Sequence, residues 1–194
     1  MISTTLEMIR DAQPCADGWA QLLRGLGEGG DPDLARTVAL REIVASNGVA
    51  DALWAARHAC DLTAEGERVL RLFASDVAER ALRAEREAGR EPDGALWAAV
   101  EAARAYARGE IGAEELRAAW AAARAAADAR AAAVAAAWDA AAWAAVDAAD
   151  VAAHTAACAA VANAAVANAA DAVCAERDWQ AARLLAYLRG EVTP

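Results

Sequence analysis

The residues best suited to metal binding or nucleophilic chemistry are an aspartate, a histidine and a cysteine in the alanine-rich half of the sequence. Asp150, His154 and Cys158 follow one another at intervals of four, so they would lie along one face of a helix. Such residues can bind zinc, or the histidine can activate the thiol. A structural zinc site needs four ligands, and no second pair has matching spacing; His58 and Cys60, two apart, would point to different helix faces. The sequence therefore predicts no metal site, and packing is the simpler role for His154 and Cys158.

Acidic residues and a tryptophan repeat with helical spacing in the same part of the chain. Asp139, Trp143, Asp147 and Asp150 follow one another at intervals of three or four, and Asp128 precedes Asp139 by eleven residues, close to three helical turns. We call Asp139, Trp143, Asp147 and Asp150 the acidic ridge. Two interpretations are open: a solvated stripe on a half-buried helix, or a surface that binds a basic partner protein. Helical ice-binding proteins also have an eleven-residue repeat, but the repeated residues there are threonines. Here they are aspartates, so the sequence does not favour ice binding.

Motifs for catalysis or cofactor binding are absent from the sequence. It contains no P-loop, no G-x-G-x-x-G and no G-x-S-x-G. We therefore expect a non-enzymatic protein without catalytic residues and without a cofactor. The four cysteines, Cys15, Cys60, Cys158 and Cys174, have no C-x-x-C spacing, and we expect them to be small hydrophobic residues of the core.

The charge of the chain argues against binding to nucleic acid. The net charge is −10, and lysine is absent. Residues 1–112 carry 19 acidic residues and 13 arginines, and residues 113–194 carry 10 and 6, so negative charge is spread along the chain. A nucleic-acid-binding surface needs clustered positive charge. An acidic chain can instead bind the basic surface of another protein.

Neither the N-terminal stretch nor the alanine-rich part of the chain has the character of a membrane segment. The N-terminal MISTTLEMIRDAQ has acidic residues and no apolar run, unlike a signal peptide. Asp139, Asp147 and Asp150 interrupt the alanine-rich part, and each would cost about 2.5–3.5 kcal/mol at the centre of a membrane-spanning helix. We expect a soluble, cytoplasmic protein.

Helix signals run along the whole sequence, whereas strand signals are nearly absent. The first 112 residues predict short amphipathic helices, separated by Gly, Pro, Asn and Asp at positions that suit helix caps. The predicted helices are one with Trp19, Leu22, Leu23 and Leu26 on one face and its end at Gly27, one from Pro32 to Asn47, one through residues 51–59, one from Thr63 to near Gly89, and one from Pro92 to Arg108.

The second half is built for close helix packing. Residues 113–189 contain no proline and no glycine, and alanine fills 36 of the 60 positions in 113–172. Alanine is the best helix former, and its small side chain lets neighbouring helices approach closely. Trp120, Trp138 and Trp143 supply the apolar surface that alanine lacks, because each ring can bury on the order of 200 Å². A single helix of this length would measure about 115 Å, whereas a compact domain of this size is about 40 Å across. The segment therefore folds back at least twice or projects as a rod.

These patterns predict an all-α protein, a multi-helix bundle with long alanine-rich C-terminal helices. Residues 1–112 form an N-terminal helical part. Residues 113–194 form an alanine-rich helical hairpin or bundle, packed on the first part as a single domain.

Three stretches of the chain resemble a known family. They are LREIVASNGVADALWAARHA, ERVLRLFASDVAERAL and AAVEAARAYARGEIGAEELRAAWAAARAAA. The shared features are a DALWxxR helix start, an RLFAxDxAERxL helix, an ExARxYARGE turn and alanine-rich C-terminal helices, carried by residues 38–130. With these features, the chain resembles the putative immunity protein family and uncharacterised alanine- and tryptophan-rich phage proteins.

The resemblance implies an all-helical, non-enzymatic protein of bacterial conflict, and it supplies no catalytic residues. We hypothesise a protein that binds and neutralises a toxin, nuclease or defence effector, as an immunity protein or a phage anti-defence inhibitor, anti-CRISPR proteins included. An acidic helical face would cover a basic surface of that partner. The alternatives are a structural protein that forms homodimers through its alanine-rich face, and a metal-dependent enzyme using Asp150, His154 and Cys158.

Overall fold

The computed structural model describes residues 2–129 and 169–192. These residues form eight helices and one small antiparallel sheet of two strands, which confirms the all-α prediction. The elements in chain order are β1 (Ser3–Thr5), α1 (Leu6–Asp11), α2 (Ala16–Leu26), β2 (Thr37–Ala39), α3 (Leu40–Asn47), α4 (Val49–His58), α5 (Ala64–Glu87), α6 (Gly94–Ala107), α7 (Ala113–Ala129) and α8 (Ala169–Arg189).

Most helix limits follow the caps that the sequence predicts. α2 ends at Leu26 and is capped by Gly27, whose φ of 72° is the left-handed conformation that favours glycine. α5 begins after Thr63, whose hydroxyl accepts a hydrogen bond from the Gly66 N–H at 3.1 Å. α6 begins at Gly94, two residues later than the predicted start at Pro92, because the carboxylate of Asp93 caps the helix by accepting from the Ala95 N–H at 2.8 Å. Local capping chemistry therefore fixes these boundaries.

The helix predicted from Pro32 to Asn47 is wrong in its first half. Residues 37–39 form β2, which pairs with β1 so that Ser3 lies opposite Ala39. Val38 is fully buried, and burial of this β-branched side chain in a paired strand outweighs the local helix signal at Asp31 and Pro32. The helix starts only at Leu40.

Two cores share α5. The larger one joins the elements of residues 2–59 to α5 and α8, and its fully buried members include Leu6, Leu53, Phe73 and Leu184. The smaller one lies between α5, α6 and α7 and consists of Ala78, Leu82, Leu96, Val100 and Ala123. α5 is therefore the central helix of the described structure.

The described parts of the alanine-rich half are α7 and α8. α7 packs along α6, and α8 packs against α3, α4 and α5. In the two described ranges, no helix combines the length and the apolar character that crossing a membrane would require.

Candidate protein-binding site

The acidic ridge lies outside the described residues. Its four members fall within 130–168, together with His154 and Cys158. The ridge, Asp139, Trp143, Asp147 and Asp150, therefore stays a prediction.

The cysteines that the structure describes are less buried than expected. Cys15 and Cys174 are exposed and Cys60 is half-buried, so the prediction of core cysteines is wrong for the two exposed ones. Cys15 instead caps α2, where its sulfur accepts from the Gly18 N–H at 3.3 Å. Hydrogen-bonding a helix end satisfies a backbone donor and needs no burial.

Thiol chemistry at Cys60 is unfavourable. Burial and the nearby Asp61 carboxylate raise the pKa of its thiol to about 11, so it is protonated and poorly nucleophilic at neutral pH. His58 is exposed, and its ring lies 5.4 Å from the Trp54 ring, centroid to centroid. Across 2–129 and 169–192, no group of three His, Cys, Asp or Glu side chains is arranged to hold a metal ion.

A cluster of charged side chains joins α5, α6 and α8. The Asp76 carboxylate accepts hydrogen bonds from Arg104 at 2.8 Å, from Arg183 Nε at 2.7 Å and from the Tyr187 hydroxyl at 2.7 Å. Arg104 also donates to Glu79. We call these five residues the Asp76 cluster. It connects three helices whose residues are up to 111 positions apart in the chain.

Within the Asp76 cluster, the pKa values of Arg104 and Tyr187 are shifted in the direction that lets both side chains donate these hydrogen bonds. Burial lowers the pKa of the Arg104 guanidinium, but the hydrogen bonds and charges of Glu79 and Asp76 outweigh burial and raise it. Burial and the hydrogen bond to Asp76 raise the pKa of Tyr187, so its hydroxyl stays protonated and donates. Arg104 therefore stays charged and the Tyr187 hydroxyl stays neutral, and the hydrogen bonds of the cluster hold α8 in place, a structural role.

A second polar contact attaches α8 to α5. Glu176 is 2% exposed and accepts from Arg80 at 2.7 Å and from Gln180, itself 1% exposed, at 3.0 Å. The Arg80 guanidinium also lies over the Trp179 ring, 4.4 Å from its centroid. Buried polar contacts of this kind fix the orientation of a helix more narrowly than apolar packing alone.

Sequence analysis missed the inner face of α8, although a signal was present. Glu176, Gln180, Arg183 and Tyr187 follow at intervals of four, three and four, which places them on one helix face. A polar face can equally be solvated, so the spacing alone does not identify its partner on α5.

An apolar groove opens between α2 and the pair of helices α3 and α4. Its volume is about 350 Å³. The buried side chains of Leu22 and Ile43 line its inner part, and the half-buried rings of Trp19 and Trp54 line its more accessible part. We call this space the Trp19–Trp54 groove. It lies entirely within the first 55 residues.

One end of the Trp19–Trp54 groove is polar. The Asn47 side-chain amide donates to the Gly18 carbonyl and to the Asp51 carboxylate, both at 2.8 Å. Asn47 and Asp51 both line the groove. The Asn47 amide therefore ties α3 to α2 and orients a carboxylate that belongs to α4.

These observations define a mostly helical bundle in which partly buried ion pairs attach the last described helix to the central one. The chain belongs to the family described as Imm-5 like putative immunity protein, whose model matches residues 60–187. The match contains the whole Asp76 cluster, whereas the Trp19–Trp54 groove precedes it. Immunity-type proteins act on a protein partner and are generally non-enzymatic. No match was found to a curated protein or to a solved structure.

Proposed function

We propose that this chain is a non-enzymatic, cytoplasmic protein that binds and neutralises another protein through a basic surface of that partner. The partner is a toxin, a nuclease or a defence effector. Toxin immunity and phage-encoded inhibition of a host defence, CRISPR included, are the two settings of this one activity. Membership of the immunity-type family over residues 60–187 is the observation that carries the proposal.

The surface charge supports a basic partner. Arginines such as Arg68, Arg90 and Arg108 each form an ion pair with a nearby glutamate, so their charge is locally balanced. Within the described part of the chain, exposed carboxylates without an ion pair outnumber exposed arginines without one. Examples of such carboxylates are Asp17, Asp61, Glu87 and Asp178, and the arginines are Arg24, Arg124 and Arg177. With a net charge of −10, the chain attracts positively charged surfaces over a range set by the ionic strength.

Neutralisation would be steric and electrostatic. An acidic face that covers a basic active site or a nucleic-acid channel excludes its substrate, and charge complementarity speeds the encounter. This mechanism needs no chemical step on either protein. We propose the acidic ridge, Asp139, Trp143, Asp147 and Asp150, as one contact surface, because it combines three carboxylates with an aromatic residue of the kind that dominates interface energies.

Affinity capture from the lysate of the encoding organism tests the proposal. The full chain is immobilised at moderate salt, and bound proteins are identified by mass spectrometry and assayed for loss of activity. We expect one stoichiometric partner that the chain inhibits. Recovery of the chain alone would contradict the proposal and favour the self-associating homodimer.

A charge-matched pair of variants tests the ridge. Asp139→Asn, Asp147→Asn and Asp150→Asn are combined in one variant. Its control combines substitutions at three exposed acids elsewhere and changes the net charge equally: Asp31→Asn, Glu87→Gln and Asp178→Asn. We expect the ridge variant to lose about tenfold or more in association rate at low salt and the control to lose little. Equal losses would show that only net charge matters and would rule the ridge out as a contact surface.

A further inference from the structure

The Trp19–Trp54 groove is held open by the packing of the surrounding helices. α2 crosses α3 so closely that a Cβ on Gly25 would lie 2.4 Å from the Cβ of Ser46, and it approaches α4 so closely that a Cβ on Gly18 would lie 3.1 Å from the Asp51 carboxylate. Gln21 donates to the Ser46 carbonyl at 2.7 Å. Binding to a preformed groove costs little conformational entropy, which raises affinity.

The apolar character of the groove is unusual for a surface feature. Trp19 and Trp54 are half-buried, and together with Pro14 and Ala50 they present apolar surface to solvent. Apolar surface gathered in one concave place is informative, whereas single exposed apolar residues are not. Tryptophan is also the residue most enriched among the contacts that dominate protein interfaces. This surface is therefore suited to receiving an apolar side chain.

The polar end adds a second requirement for the occupant. Asp51 accepts from the neutral Asn47 amide at 2.8 Å, and none of the ion pairs within the described residues involves Asp51. Asp17 is exposed in the first turn of α2, next to the groove residue Gly18. A cation beside the apolar group would therefore gain an attractive carboxylate, and an anion there would be repelled.

We propose that the Trp19–Trp54 groove binds a segment of the partner protein that presents one large apolar side chain, aromatic or leucine, beside an arginine or lysine. The apolar side chain enters between Trp19 and Trp54, and the cation lies at Asp51. A volume of about 350 Å³ is near the lower end of ligand pockets, about 300–1,000 Å³, and suits one or two side chains rather than a helix. The inference rests on the proposed function for the identity of the partner as a protein.

Selection from a displayed library of short random peptides, with the full chain as bait, tests this surface without knowledge of the partner. We expect enriched peptides to pair an aromatic or leucine residue with a nearby arginine or lysine. Affinities of the enriched peptides are then measured by fluorescence anisotropy. Enrichment of acidic peptides, or of none, would overturn the proposal.

Three variants locate the binding. Ala50→Trp fills the groove from an exposed position and should abolish binding, with a circular dichroism spectrum that matches the parent. Asp51→Asn keeps an acceptor for Asn47 but removes the charge, and should weaken binding about threefold to fivefold at low salt and less at high salt. Glu87→Gln, the control, should bind as the parent does. Equal binding by Ala50→Trp would place the peptides elsewhere and refute the groove.

The two proposals fail separately. If a captured partner is neutralised equally well by Ala50→Trp, the groove is refuted as a partner-binding surface and the neutralising function stands. If groove-dependent peptides are found but no partner is neutralised, the proposed function fails and the groove's preference for an apolar residue beside a cation stands.

Discussion

Asp76→Asn is expected to destabilise the fold more than any exposed charge change. Asp76 is 11% exposed as a side chain, and Arg104, its partner on α6, is 17% exposed. Both carboxylate oxygens of Asp76 accept hydrogen bonds, so asparagine removes the charge that faces Arg104 and Arg183 and also turns an amide NH2 donor toward one of these donors. Removing one member of a fully buried ion pair costs about 3–5 kcal/mol. Because Asp76 and its arginines are only partly buried, we expect a loss toward the lower end of that range, still a large part of the about 5–15 kcal/mol that stabilises a typical domain.

Glu101→Gln is the matched control, because it makes the same chemical change beside the same arginine. Glu101 is 67% exposed and lies 3.0 Å from Arg104, so its loss should cost about 0–1 kcal/mol. The free energy of unfolding is measured by urea denaturation followed by circular dichroism, with the slope compared between variants. A loss of about 1 kcal/mol or less for Asp76→Asn would refute the structural role of the Asp76 cluster.

Three further predictions follow from local geometry. Gly25→Ala should cost about 1–3 kcal/mol because its Cβ would overlap Ser46, whereas Gly30→Ala, which meets no atom within 4 Å, should be neutral in the same urea experiment. The free energy of unfolding should fall as pH rises from about 9 to about 11, because the unfolded Cys60 thiol loses its proton at the ordinary pKa of 9.0 and the folded thiol only near 11. Cys60→Ala should remove that part of the slope; an unchanged slope would contradict it. Iodoacetamide should modify exposed Cys15 well before Cys60, as judged by peptide mass spectrometry, and equal rates would be inconsistent with the burial of Cys60.

The elements that the sequence predicted are those with strong local chemistry. α2 and α5 combine apolar residues at helical spacing with caps at Gly27 and Thr63, and both were predicted correctly. The error between residues 32 and 39 arose where a long-range strand pairing buries Val38. Capping signals are local, so they cannot register a competing partner that is some thirty residues away.

The candidate sites depended on packing that no local pattern contains. Asp76 meets Arg104 and Arg183 across 28 and 107 residues of sequence, and each residue alone resembles an ordinary surface charge. The Trp19–Trp54 groove lies where α2 meets α3 and α4, and the close approaches at Gly25 and Gly18 are a property of these helices packed together. Composition gave the acidic character of the chain but not the place where a partner would dock.

The most direct test of the central claim is a titration of the captured partner's activity with the purified chain. The account predicts that activity falls linearly and is lost near one molar equivalent, with weaker inhibition at about 0.5 M salt than at about 0.05 M, because the attraction between acidic and basic surfaces is screened. Full activity of the partner in the presence of excess chain, at low salt, would contradict the claim that this protein neutralises what it binds.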